Sequence, residues 1–201
     1  GEGSIRTLTK SDFLRMQIVG QFNLGFVLAK LGKDMYILDQ HACDEKYNYE
    51  SLRRDTRVHE QPLIRPQVLE VTASQELTIM DNIDIFLKNG FHMTIDADAL
   101  PGRKLKLTAV PFSKKTQFTA EDVRELADNL MTCGEKNKKT IRPKKIQTMF
   151  ASRACRKSIM VGRALERSEQ IRVVRHLATM DQPWNCPHGR PTLQHMFMLT
   201  K

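Results

Sequence analysis

Long apolar runs are missing from this 201-residue chain. The longest are a few residues, far short of the roughly 20 that a membrane-spanning helix needs, so a bilayer-spanning fold is excluded and no membrane partner is expected. Gly1 to Ile5 lack the charged-then-apolar pattern of a signal peptide, so a freshly secreted chain is not expected either. Cysteine is scarce as well. Cys43, Cys133, Cys155 and Cys186 are too few for a disulfide scaffold of this size, and a chain this long buries a core without staples. Such cysteines are core residues, metal ligands or nucleophiles. Acidic residues are absent from one stretch altogether. Lys136 to Arg163 holds ten Lys or Arg and no Asp or Glu; because the whole chain carries +9, the remainder sums to −1. A basic excess so concentrated favours a polyanion such as nucleic acid, against the blander reading of a solvated basic face.

Leu, Ile, Val and Phe recur periodically, which argues against disorder. Met16–Gln21, Leu24–Leu31 and Met35–Leu38 read as strands, broken at Asn23 and at Gly32-Lys33-Asp34, with Gly20 and Gly25 as candidate sites of a bulge or close backbone approach. Asp39 ends the third strand and can cap a helix running from Gln40 to about Arg54. Gln61–Pro66, with two prolines, is extended and serves as a first linker. A strand at Gln67–Val71 precedes a helix capped by Ser74, with Leu77, Met80, Ile83 and Leu87 on its apolar face and Gly90 at its end. Strands at Phe91–Ile95 and Lys104–Val110 flank a Pro101-Gly102 turn, and Thr119–Met131 is an amphipathic helix. Cys133–Lys145 is a second linker. A long helix follows Pro143 to about Val161, Ser168 with Glu169 opens another, Pro183–Pro191 is a loop, and Thr192 starts a short last helix. The order is α/β (α+β). Residues 67–142 form an inserted smaller α/β subdomain, and 1–66 with 143–201 form the other, a sheet with flanking helices.

His41 and Glu45 stand four apart on a helix, which brings their Cβ atoms to about 5–6 Å on one face. They can share a metal ion or be an ordinary surface pair. Cys186-Pro187-His188-Gly189-Arg190 places thiolate and imidazole two apart around a stiffening proline, with Gly189 allowing a tight turn; the alternative is a buried Cys beside a capping His. Cys155 is a candidate further donor. Five donors from three segments exceed one tetrahedral site. They suit two neighbouring metals bridged by Glu45, the usual arrangement for phosphodiester hydrolysis. Arg153, Arg156 and Lys157 share a helix with Cys155, and with Arg190 they are the candidate phosphate contacts.

Asp39-Gln40-His41-Ala42, then Glu45, then Glu50, is similar to the endonuclease motif of the MutL mismatch-repair family. Ala151–Arg156, Cys186–Arg190, Gly20–Phe26 and Pro183-Trp184-Asn185 resemble further motifs of that family, in its order, and the nearest type is the nuclease-bearing subunit of the eukaryotic MutL-alpha heterodimer. The resemblance covers nearly the whole chain. It implies a C-terminal dimerisation domain with an inserted external subdomain, and a latent, metal-dependent endonuclease that nicks duplex DNA. It implies His41, Glu45, Cys155, Cys186 and His188 as metal ligands, and Asp39 and Glu45 as acidic residues essential to nicking. Zinc is the metal implied in isolation and manganese the one supporting activity; no ATP site is expected. The implied partners are another MutL homologue, whose C-terminus can add a ligand, a sliding clamp, a MutS-type mismatch-recognition complex and duplex DNA, in the nucleus. Gln61, Ile64 and Pro66 match the family's clamp-binding motif: a hydrogen-bonding rim contact, an apolar plug and a residue holding the segment extended. On its own the hexapeptide also reads as a linker whose Ile64 packs on its own domain. A non-catalytic, zinc-stabilised dimerisation and clamp-binding scaffold is the alternative function.

Overall fold

The computed structural model describes residues 7–200. In chain order the elements are α1 (Asp12–Arg15), β1 (Gln17–Phe22), β2 (Phe26–Leu31), β3 (Asp34–Asp39), α2 (Gln40–Asp55), β4 (Glu60–Val68), α3 (Ala73–Asp81), α4 (Ile83–Lys88), β5 (His92–Ile95), β6 (Leu105–Pro111), α5 (Ala120–Thr132), a 3₁₀ turn (Glu135–Thr140), α6 (Lys144–Lys157), α7 (Arg167–His176), a second 3₁₀ turn (Leu177–Thr179) and β7 (Leu193–Met198). Two antiparallel sheets with helices give the α+β class expected. The chain divides into two compact units, one up to Leu52 and from Phe150 onward, the other Arg53–Met149.

In the first unit the sheet order is β1-β2-β3-β7, all antiparallel. Alternation along β2 sends Val27, Ala29 and Leu31 to one face, where they meet Phe13 of α1 and Val173 and Val174 of α7 in a single buried cluster. Each large apolar side chain withdrawn there contributes about 1.5–3 kcal/mol. The β1 register shifts between Ile18 and Gly20, so the glycine does mark a bulge. The three-residue β1–β2 connection opens with Asn23 and Leu24, both at positive φ (50° and 49°), and Gly25 N donates to Phe22 O at 3.2 Å. Asn tolerates this region. Leu does not, and holding it there costs on the order of 1–3 kcal/mol.

The segment after Thr192 is a strand and not the helix expected. β7 pairs with the open edge of β3, and Asp39 N donates to Thr192 O at the start of the ladder. That edge offers unpaired backbone groups that the local sequence cannot advertise. Pairing also gives His195 a partner in Asp34 at 2.9 Å and sets its ring edge-on to Tyr36. Glu166 and not Ser168 caps α7, through a reciprocal capping box with Glu169. α6 ends at Lys157, four residues before Val161, where Ser158 Oγ turns back onto Ala154 O.

The second unit holds the sheet β4-β6-β5 with α3, α4 and α5. Gln61–Pro66 is extended, as its prolines require, yet it is part of β4 and not a linker. Gln61 and Pro62 pair with Val110 and Ala109, Gln67 and Val68 pair with Leu107 and Lys106, and the register shifts between. This pairing starts the unit before residue 67. The long helix expected after Ser74 is two. Thr72 caps α3 through a box with Gln75, and the chain breaks at Asn82, whose side-chain amide donates to Thr78 O at 2.8 Å. The break puts Ile79, Ile85 and Phe86 inside and leaves Leu77 exposed. α5, expected from Thr119 to Met131, runs Ala120–Thr132; Thr119 caps it through a box with Asp122, and it buries Val123, Leu126, Ala127 and Leu130 at helical spacing. Gly102 has φ +82°, and a Cβ there would lie 2.5 Å from Val71 O, so the Pro101-Gly102 turn requires glycine. No helix among the described residues is long and apolar enough to cross a membrane.

Candidate metal centre

All five sequence-derived donors fall in the first unit, where they form two groups that share one residue: His41, Glu45 and Cys155, and Glu45, Cys186 and His188. Within each group the donor atoms lie within 4.8 Å of one another. The buried first turns of α2 supply His41 and Glu45, α6 supplies Cys155, and the loop before β7 supplies Cys186 and His188.

The local chemistry explains why these atoms face one another. Asp39 Oδ1 accepts from Ala42 N at 2.8 Å, so it caps α2 and fixes where His41 and Glu45 point. His41 Nδ1 donates to Ile159 O at 2.8 Å, which leaves the Nε2 lone pair directed at Cys155 Sγ (3.7 Å) and Glu45 Oε2 (3.9 Å). Ile159 is held in turn by Asp44, whose carboxylate accepts from its N–H at 2.9 Å. On the other side, Glu45 Oε1 lies 2.6 Å from His188 Nδ1. Gly189 N donates to Cys186 O, and Gly189 has φ +85°, which makes the tight turn between the loop's two donors. Glu45 is 1% exposed, and its Oε2 has no hydrogen-bond partner among the described residues. A buried carboxylate oxygen facing an imidazole lone pair and a sulfur is costly unless a cation neutralises it. The donor set therefore fits divalent ions, with Glu45 placed to serve both groups.

Further residues support the centre without facing it. Glu50, part of the quoted motif, accepts from Asp181 N (2.6 Å) and Gln182 N (3.1 Å) and so tethers the Cys186–His188 loop. Trp184 packs against Phe13 and anchors the same loop. Fully buried Gln40 donates to Leu24 O and Met160 O, both at 3.1 Å, and accepts from Gln21 Nε2 at 2.7 Å. Asp44, Gln40 and Gln21 carried no sequence-derived role. The signal available was their place beside His41 and inside the Gly20–Phe26 motif. Cys43 is buried, donates to Thr192 O, and burial together with Asp39, Asp44 and Cys186 pushes its pKa well up, so it stays a thiol outside the centre.

Arg190 Nη1 lies 3.6 Å from Asp39 Oδ2. Burial opposes its charge, but Asp39, Cys186 and Glu45 outweigh that and raise its pKa. The basic stretch is only partly available to a polyanion. Arg142 is buried, donating to Arg53 O, Lys88 O and Asn89 Oδ1, and desolvation lowers its pKa to about 10. Lys138, Lys145 and Arg163 pair with Glu135, Asp122 and Glu169. Arg153, Arg156 and Lys157 are exposed and make no ion pair among the described residues. In the second unit Ile64 is fully exposed at the β4 irregularity, with no packing on its own domain.

Residues 19–165 match the MutL C-terminal dimerisation domain family. The chain is similar to "DNA mismatch repair protein PMS1" of Arabidopsis thaliana, 45% identical over 97% of this chain and 22% of that protein. It is similar to "Mismatch repair endonuclease PMS2" of Homo sapiens, 46% identical over 95% of this chain and 22% of that protein. "DNA mismatch repair protein MutL" of Clostridium acetobutylicum is 29% identical over 94% of this chain and 30% of its own length. The chain thus spans about a fifth of the length of the eukaryotic relatives it matches.

Proposed function

The chain belongs to the MutL family, in its C-terminal dimerisation domain, and from that membership we propose that it is the latent nicking endonuclease domain of a mismatch-repair heterodimer. The observation that carries this reading is Glu45, a buried carboxylate common to two donor groups. A structural zinc site closed by Cys and His has no need of it.

His41, Glu45 and Cys155 would hold one ion, and Glu45, Cys186 and His188 a second. Zinc suits the thiolates and imidazoles, and manganese is the metal proposed for activity. Two divalent ions there would supply a Lewis acid for the phosphodiester and make water a nucleophile near neutral pH. The chain's own residues prepare the ground. Asp39 is a positioning residue: it caps α2 with one oxygen and faces Arg190 with the other. Arg190 would take a phosphate oxygen at the centre, and Arg153, Arg156 and Lys157 would hold the duplex backbone beside it. The partner MutL homologue would associate through this domain, and the edge strand β7, with Met196, Phe197 and Met198 exposed, is a surface suited to a protein partner. Gln61, Ile64 and Pro66 would engage a sliding clamp; a MutS-type complex and a nuclear location complete the proposal.

Nicking of closed-circular duplex DNA by the full heterodimer, with manganese and loaded clamp, tests the reading. Glu45→Lys should abolish nicking and leave the subunits associated. Unchanged nicking would return the domain to a zinc-stabilised scaffold.

A further inference from the structure

Beside the metal centre lies an apolar projection that the proposed chemistry leaves unused. Phe22 and Leu24 of the β1–β2 hairpin and Met160 and Val161 after α6 are 53, 47, 55 and 66% exposed. They come from two chain segments that are fastened together. Gly162 N donates to Leu24 O at 2.7 Å, Gln40 Nε2 donates to both Leu24 O and Met160 O, and Gln21 Nε2 donates to Arg163 O at 2.8 Å. A Cβ on Gly25 would sit 3.5 Å from Val161 Cγ1. The projection is continuous with the centre. Gln40 precedes His41, and Met160 follows Ile159, whose carbonyl orients His41. A hairpin needing two positive-φ residues ordinarily takes glycine at the second. Here leucine is held there at φ 49°, in a conformation that its side chain opposes and its exposure does not repay. Three to seven residues before Met160, the exposed end of α6 presents Lys157, Arg156 and Arg153 without acidic partners among the described residues.

We propose that Leu24, with Phe22, Met160 and Val161, is a wedge that enters the stacked bases of duplex DNA next to the metal centre, while the basic end of α6 grips the flanking phosphates. Apolar side chains thrust between base steps unstack them and kink the duplex, and basic residues around them neutralise the backbone. An apolar tip bordered by unpaired cations is complementary to a base stack bordered by phosphates. The kink turns one strand's backbone towards His41, Glu45 and Arg190. The inference rests on the nuclease reading for its purpose but not for its test.

The test uses Leu24→Gly in the full-length protein with its partner subunit, because glycine adopts the hairpin geometry without strain and removes the side chain without endangering the fold. Met160→Gln is the second variant. Affinity and bending are read by fluorescence energy transfer on an end-labelled linear duplex without manganese, over a salt series. Each variant should bind about tenfold less tightly and bend the duplex less. The salt slope, zinc content and partner affinity should stay as in the wild type, since no charge or donor is touched. Unchanged affinity and bending would overturn the wedge. So would loss of the partner subunit from either variant, which would make the patch a protein interface. A wild-type protein that bends DNA through Leu24 yet never nicks it would remove the nuclease reading and leave the wedge standing.

Discussion

Among single side chains, Glu50 acts on the centre from a distance. Its carboxylate collects two backbone N–H groups of the loop that carries Cys186 and His188, while Lys46 approaches its Oε1 at 3.4 Å. Removing it frees that loop and leaves the donors themselves intact. Glu50→Ala is therefore expected to weaken zinc binding about tenfold in a chelator competition, with the fold retained, and Glu50→Gln, which keeps one acceptor, to recover part of the loss. Four of the five candidate donors were legible because they fall in two pairs at spacings that chemistry recognises, 41 with 45 on a helix and 186 with 188 around a proline; Cys155 has no such neighbour. Their supports were not. Glu50 reaches 131 residues along the chain, Asp44 115 and Gln21 142, and no local pattern encodes such a pairing. The stack of His176 on Tyr47, at 3.7 Å between ring centres, is equally invisible to local pattern.

Secondary-structure elements divide by whether their cause is local. β1 to β3 announce themselves through alternation and through Asn23 and Gly32, and α5 through Thr119 and its apolar spacing. For α5 the cap is a measurable contribution: Thr119→Ala should destabilise the second unit by about 1 kcal/mol, seen as faster hydrogen exchange of α5 amides and unchanged exchange in β1–β3. β7 was misread because its strand state comes from the β3 edge, and the α3–α4 break because an asparagine side chain competes for a backbone carbonyl. The capping residue of α7 was misplaced by two positions because glutamate is an uncommon cap, favoured here by its reciprocal bond with Glu169.

Across the whole molecule, charge and exposure sort the proposed contacts by unit. The first unit carries the donors and the unpaired Arg153, Arg156 and Lys157; the second carries Ile64, 102% exposed, on β4. Gln61→Ala with Ile64→Ala should therefore weaken sliding-clamp binding at least about tenfold and leave metal content and metal-only nicking as they were. Equal clamp affinity would give that strand back to the sheet alone. The placement of the donors has a consequence for persistence as well as chemistry. His41 and Cys155 are 114 residues apart, Glu45 and His188 143, and the whole Arg53–Met149 unit lies within both spans. With ions bound, the centre becomes a cross-link closing two very long loops, and a fixed cross-link over a loop of that size withdraws on the order of 5 kcal/mol of freedom from the unfolded chain. The atoms proposed to cut DNA would then also be the rivet that keeps the two ends of a divided domain from drifting apart.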